Sequence, residues 1–301
     1  MDRRTCLHHL TALSLMPLAV AAIPTAVTML KRKIPSTGEL LPAIGLGTWQ
    51  TFDVGQVAAE REPLKEVLKT LLDKGGSVVD SSPMYGSSEK VVGDLSTELD
   101  LNSKLFIATK VWTTGKDEGI AQMNRSFNLL QRKRVDLMQI HNLVDWQIHL
   151  KTLRDWKEQG RIRYLGITHY TEGAYSQIED ILKNNPVDFL QINYSMLSRT
   201  AEQRLFPLAK EKGVAIIINQ PFEEGALFQR VKGKALPAWA AEFDCTSWGQ
   251  FFLKFILANT AVTCVIPGTS KPHHMADNAG AGVGKLPDEN QRQQMIRFIN
   301  S

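Results

Sequence analysis

Cysteine is almost absent from this chain. Cys6, Cys245 and Cys264 are the only three in 301 residues, and their spacing suits neither a disulfide framework nor a zinc site. Cys264, inside "AVTCVIPG", is expected to be a small buried residue. Also missing is any long run of one charge. Lys and Arg number 35 against 31 Asp and Glu, a net charge of +4. The short clusters Lys31–Lys33 and Arg132–Arg134 read as solvated surface, which excludes nucleic acid as an expected partner. No low-complexity linker divides the chain, and this favours one large domain over two small ones. With 43% hydrophobic residues, a sizeable core is within reach.

Charge is scarcest at the N-terminus. Arg3 and Arg4 are followed by the uncharged stretch "TCLHHLTALSLMPLAVAAIPTAVTML", which ends only at Lys31. Within it, Ala19-Val20-Ala21 has the small-x-small pattern of a signal cleavage site. Adjacent arginines ahead of an apolar segment resemble a twin-arginine signal, read by an export machinery that carries folded proteins. Residues 1–30 are therefore expected to be a targeting segment on a periplasmic protein, with 31–301 as the folded body. Two other readings stay open: an uncleaved membrane anchor, since Leu10–Leu30 nearly reaches spanning length despite Pro17 and Pro24, and a cytoplasmic protein with an apolar tail.

Beyond Lys31, short Val- and Ile-rich runs alternate with longer amphipathic segments. The runs are 43–47, 77–80, 105–110, 135–141, 164–168, 189–192, 214–219 and 262–267, and each has the length and composition of a buried strand. Between them, segments such as 64–72, 118–130, 145–158, 202–212 and 247–257 space their apolar residues by three and four, as helices do. Several of these end in "LLDKGG", "WKEQGR" or "AKEKGV", where a basic last turn suits the helix dipole and glycine can adopt the left-handed stop. Repeated strand–helix units without a linker predict a single-domain α/β fold, a (β/α)8 TIM barrel with a parallel sheet. The opening "KRKIPSTGELLPAIGLG" carries a Ser-Thr-Gly turn and predicts a hairpin that closes the barrel's bottom.

A barrel of this kind presents chemistry at the carboxyl ends of its strands. Applying that filter, Asp80 ends the second run, Lys110 the third and His141 the fourth, with Tyr85 in the loop after Asp80. The four are proton-transfer residues. A phenol has a pKa of about 10, and a neighbouring ammonium lowers it. Lys110 is expected to do this to Tyr85, with Asp80 holding the lysine charged and neutral His141 orienting a substrate oxygen. No nucleophile, metal shell or second carboxylate accompanies them.

The ordered motifs "GLGTW", Asp80 with the "SSPMYG" that follows it, "ATKVW", "DLMQIH", "GITHY", "LQINYS" and "VIPGTSKPHHMADN" make this chain resemble an aldo-keto reductase over nearly everything after Ile34. That resemblance implies an NADPH-dependent reduction of an aldehyde or ketone. Asp80, Tyr85, Lys110 and His141 take the place of the family's catalytic tetrad, and Trp49 and Trp112 are expected as pocket walls. Cofactor contacts are expected from Gly47, Thr48 and Trp49, from Thr168, His169 and Gln191 near the nicotinamide carboxamide, and from Asn219. At the adenosine end they are expected from Gly268, Thr269, Ser270, Lys271, His274, Asp277 and Asn278. Lys271 favours NADP over NAD, and no metal is expected. This chain departs from the family pattern at Thr168-His169, where Ser-Asn is usual, and at Asn219, where a tyrosine usually stacks on the nicotinamide. Those departures leave a second class open, a cofactor-binding regulatory or scaffold protein on the same barrel.

Overall fold

The computed structural model describes residues 28–300, so the readings placed on the first 27 residues lie outside it. A short antiparallel hairpin comes first, β1 (Lys31–Lys33) paired with β2 (Leu40–Pro42). Strands and helices then alternate as β3 (Leu46–Gly47), α1 (Ala58–Asp73), β4 (Val78–Asp80), α2 (Ser88–Glu98), β5 (Phe106–Val111), α3 (Lys116–Leu129), β6 (Val135–His141) and α4 (Trp146–Glu158). The second half continues with β7 (Ile162–Thr168), α5 (Tyr175–Asn184), β8 (Phe189–Asn193), α6 (Leu205–Lys212), β9 (Ala215–Asn219), α7 (Ala226–Arg230), α8 (Trp248–Ala258), β10 (Val262–Val265), α9 (Pro272–Gly280) and α10 (Glu289–Asn300).

Strands β3 to β10 form one eight-stranded sheet in sequence order, every neighbouring pair parallel. Bridges from Ile44 to Val265 and from Gly47 to Gly268 bring the last strand back to the first. This is the (β/α)8 barrel that the alternation of strand and helix patterns predicts. The glycines of the three helix-stop motifs adopt the left-handed conformation, with φ of +85° at Gly75, +70° at Gly160 and +66° at Gly213, where a side chain would be strained.

Two apolar layers fill the barrel wall, and the strand period of two sorts residues between them. Val78, Phe106, Ala108, Leu137, Phe189, Ala215, Ile217, Cys264 and Ile266 point inward and pack together, joined by Ile34 and Leu41 from the hairpin. Their neighbours Val79, Ile107, Met138, Ile140, Leu190 and Ile218 face the helices. Two residues beyond an inward apolar residue is again inward. The same parity carries Asp80 above Val78, Lys110 above Ala108, Gln139 and His141 above Leu137, Gln191 above Phe189 and Asn219 above Ile217. A polar upper layer on an apolar lower one follows directly from the sequence of each strand. Met29 is also part of the core, buried to 6% exposure, and Leu30 is hydrogen-bonded to Gly282 and Ala43, so the folded body begins slightly before Lys31.

Candidate active site

The polar upper layer forms the floor of a cavity of about 590 Å³ at the carboxyl ends of the strands. Lys110 is completely buried beneath it. Its ammonium donates to Asp80 Oδ2 at 2.6 Å and to the carbonyl of Ser81 at 2.7 Å, and it lies 5.0 Å from the centre of the Tyr85 ring. Asp80 is fixed on its other oxygen, where Oδ1 accepts from Gln139 at 3.1 Å and Gln191 at 2.9 Å. Gln191 in turn accepts from Thr168 Oγ1 at 3.0 Å. Thr48 completes the shell by donating to the Asp80 carbonyl.

The electrostatics differ from the sequence expectation at one point. Burial pushes the Tyr85 phenol upward, and although Lys110 pulls it down, the net pKa lies above its ordinary value. The lysine therefore offsets only part of the desolvation. Burial also opposes the charge on Lys110, but Asp80 and Tyr85 outweigh it, so the ammonium is held more firmly than in water. His141 moves the opposite way to Tyr85. Burial first, then Lys110 and His169, lower its pKa to about 3, and the ring is neutral at ordinary pH. Its Nδ1 bonds Ser82 Oγ at 3.0 Å, and its ring meets Tyr85 edge-on at 5.9 Å.

Of the residues expected to hold a cofactor, Gly47, Thr48, Trp49, Thr168, Gln191, Asn219 and Gly268 line this cavity. Asn219 Nδ2 donates to the His169 carbonyl at 3.2 Å, while its Oδ1 is buried without a partner. His169 itself is not in the lining; its Nδ1 accepts from the amides of Tyr170 and Thr171, and Tyr170, stacked on its ring, lines the cavity instead. Thr269 caps the loop before α9, accepting from the Lys271 amide at 3.1 Å. Ser270, Lys271 and His274 are exposed at that helix start. Asp277 is already engaged by Ser247 at 2.7 Å and Gln250 at 2.9 Å, and Asn278 is buried. Trp49 is 42% exposed on the cavity wall, and Trp112, 41% exposed, stands 6.4 Å from the His141 ring. Among the described residues no cluster of His, Cys, Asp and Glu is placed to hold a metal ion.

Sequence reasoning passed over Ser82, Gln139, Tyr170, Phe222 and Phe228. The first two had a signal: Ser82 lies between Asp80 and Tyr85 in the same short motif, and Gln139 precedes His141 by two, so strand alternation places it on the same inner face. Tyr170 lies in the β7–α5 connection, Phe222 in the β9–α7 connection and Phe228 on α7, and all three line the cavity; no local pattern singles them out.

The model of the aldo/keto reductase family matches residues 43–294, and the chain belongs to that family. Among curated relatives, methylglyoxal reductase YeaE of Escherichia coli is 25% identical over 259 residues, covering 83% of this chain and 89% of the relative. The NADH-specific methylglyoxal reductase of the same organism is 23% identical over 312 residues, covering 83% and 93%. An aldo-keto reductase from Klebsiella pneumoniae solved with NADPH superimposes with a TM-score of 0.74 at 22% identity, covering 90% of this chain and 96% of that one. The holo form of an aldo-keto reductase from Bacillus halodurans gives 0.73 at 22% identity, with the same coverage.

The balance at Tyr85 is directly measurable. Ultraviolet titration of the wild-type chain minus a Tyr85→Phe variant isolates one phenol of the five tyrosines. Its midpoint is expected above that of free tyrosine, and Lys110→Met is expected to raise it further by removing the cation. A midpoint below the free value would show that the lysine, not burial, governs the site.

Proposed function

We propose that this member of the aldo/keto reductase family reduces an aldehyde or ketone to an alcohol with NADPH, Tyr85 acting as general acid. The observation that carries the reading is the placement of a buried Asp80–Lys110 pair beneath Tyr85, with neutral His141 at its edge, on the floor of one cavity. When bound, the cofactor supplies hydride to the carbonyl carbon. Tyr85, kept protonated by burial, gives its proton to the carbonyl oxygen. Lys110 then steadies the phenolate that remains, and Asp80 holds Lys110 charged. His141 orients the oxygen with a ring nitrogen, which its neutrality permits. A scaffold would have no use for such a relay, so catalysis is the favoured reading.

The residues present suit a nicotinamide dinucleotide. Asn219 Oδ1 is an unpaired acceptor, and the Gln191 side chain, with one bond at each end, retains hydrogen-bonding capacity for an amide. At the far end, the start of α9 offers backbone N–H groups and the positive end of a helix dipole to phosphate. Lys271 beside it favours the 2′-phosphate of NADP. Among the described residues no Lys or Arg lines the cavity, while Trp49, Met84, Tyr170, Phe222 and Phe228 do, which suits an uncharged carbonyl compound with an apolar body. We also read the β1–β2 hairpin as the plug of the barrel's bottom, supported by Ile34 and Leu41 in the interior cluster. Arg3-Arg4 supports export of the folded, cofactor-loaded protein to the periplasm.

Three measurements test these readings. Tyr85→Phe is expected to keep NADPH binding, followed by fluorescence, while turnover falls by roughly 10²–10⁴-fold; near-normal reduction by this variant would remove Tyr85 from the chemistry. Lys271→Ala is expected to weaken NADPH by roughly ten-fold or more with little change for NADH, and equal losses for both would sink the phosphate assignment. Replacing Arg3 and Arg4 by lysine is expected to retain the protein in the cytoplasm; export that continues unchanged would defeat the twin-arginine reading.

A further inference from the structure

All eight barrel strands run the same way, so the connections that lead into them gather on the face opposite the cavity. In those connections and the hairpin, the exposed charged side chains are Lys31, Lys33, Lys74, Lys104, Lys133 and Arg134, against the single acid Asp100. The chain as a whole is only +4, which makes this concentration a property of the fold. Around the cavity the connections mix the signs, exposing Asp53, Glu172, Glu224 and Asp244 together with Arg204, Lys232, Lys234 and Lys271. The connections that lead into the strands are predominantly cationic, and those that leave them are of mixed sign.

Two further features sit at the cationic face. Lys104, Arg132 and Arg134 border a polar recess of about 490 Å³ that also reaches Arg163. Arg163 is neutralised by Asp136 and Glu39. Arg132 is half-buried, its Nη1 donating to the Asn102 carbonyl and its Nε and Nη2 enclosed by protein, so Lys104 and Arg134 are the exposed cations at the recess. The second feature is apolar. Leu40 on the hairpin is 55% exposed, and the uncharged stretch that ends at Leu30 enters the fold where Lys31 pairs with Pro42.

We infer that this cationic face docks on an anionic phospholipid bilayer, lipid phosphates occupying the recess of Lys104 and Arg134, with Leu40 in the interfacial layer and the cavity turned toward water. Each Lys or Arg near an anionic leaflet adds to the attraction, and the sum is salt-sensitive. A basic patch next to an apolar segment supplies the two signals that stable membrane association requires. Nucleic acid would engage the same charges, but it gives no role to Leu40 or to the apolar segment that enters beside it.

The test uses the full chain and a Lys104→Glu/Lys133→Glu/Arg134→Glu variant, sedimented with vesicles of phosphatidylcholine alone or mixed with phosphatidylglycerol. Both proteins carry the same N-terminus, so its contribution cancels. Wild type is expected to bind the anionic vesicles at least about ten-fold more tightly than the variant at low salt, to match it on phosphatidylcholine, and to lose its advantage in high salt. Position is read separately, in a Cys6→Ser background, from an environment-sensitive dye at Leu40→Cys or at Glu172→Cys on the opposite face. A blue shift on anionic vesicles is expected at 40 and not at 172, and this arm stands even where the triple variant folds poorly. Equal binding of wild type and a folded triple variant to anionic vesicles, or a shift at 172 instead of 40, overturns the inference. Tighter binding to a homopolymeric RNA than to the vesicles overturns it in favour of a nucleic-acid partner.

Discussion

The upper half of the barrel depends on one charge that cannot reach water, the ammonium of Lys110. Burying a charge costs several kcal/mol unless it is paired and hydrogen-bonded. The chain meets that requirement with Asp80 and the Ser81 carbonyl. Asp80 then needs partners of its own, which Gln139 and Gln191 supply, and Gln191 is held by Thr168. One lysine on β5 thereby constrains residues on β4, β6, β7 and β8. Removing either member of the pair leaves the other uncompensated, at a general cost of about 3–5 kcal/mol. The Tyr85 hydroxyl can be deleted without that penalty, which makes it the cleaner probe of chemistry.

Around this charge two titrations are driven apart. Burial raises the phenol of Tyr85 and lowers the imidazole of His141, so at neutral pH one holds its proton and the other carries no charge. A site whose neighbours diverge in this way has separated its roles before any substrate arrives. Lys110 opposes the burial of Tyr85 without reversing it. In the proposed reaction that balance is useful: the acid stays loaded in the resting protein, and the ammonium is already in place for the anion left after proton transfer.

Much of this was legible in the sequence because parity and strand direction are local properties. "SVVD" and "LFIATK" each place an ionisable side chain two residues above an inward apolar one, "VDLMQIH" places His141 four above Leu137 on the same face, and a parallel barrel brings those ends together. What sequence could not supply was burial. The expectation that Lys110 lowers the Tyr85 pKa had the sign of the Coulomb interaction right, and it failed because desolvation is larger and is set by the packed whole. His169 illustrates a related effect: its Nδ1 accepts from the amides of Tyr170 and Thr171, a local engagement that motif position does not reveal. The adenosine-end residues were legible only as a helix start, since the engagement of Asp277 by Ser247 and Gln250 depends on α8 packing beside α9.

The cationic face is the clearest case of information absent from any window of sequence. Lys31–Lys33 and Arg132–Arg134 are separated by about 100 residues, and each taken singly is an ordinary solvated cluster. The barrel's uniform strand direction sends the approach to every strand to the same end, and only then do Lys31, Lys74, Lys104 and Arg134 share one surface. That end is also where the N-terminal stretch joins the fold. The described chain enters the fold there, at Leu30 and Lys31, on the side of the barrel opposite Tyr85 and His141, so the electrostatics of the two ends can be adjusted independently.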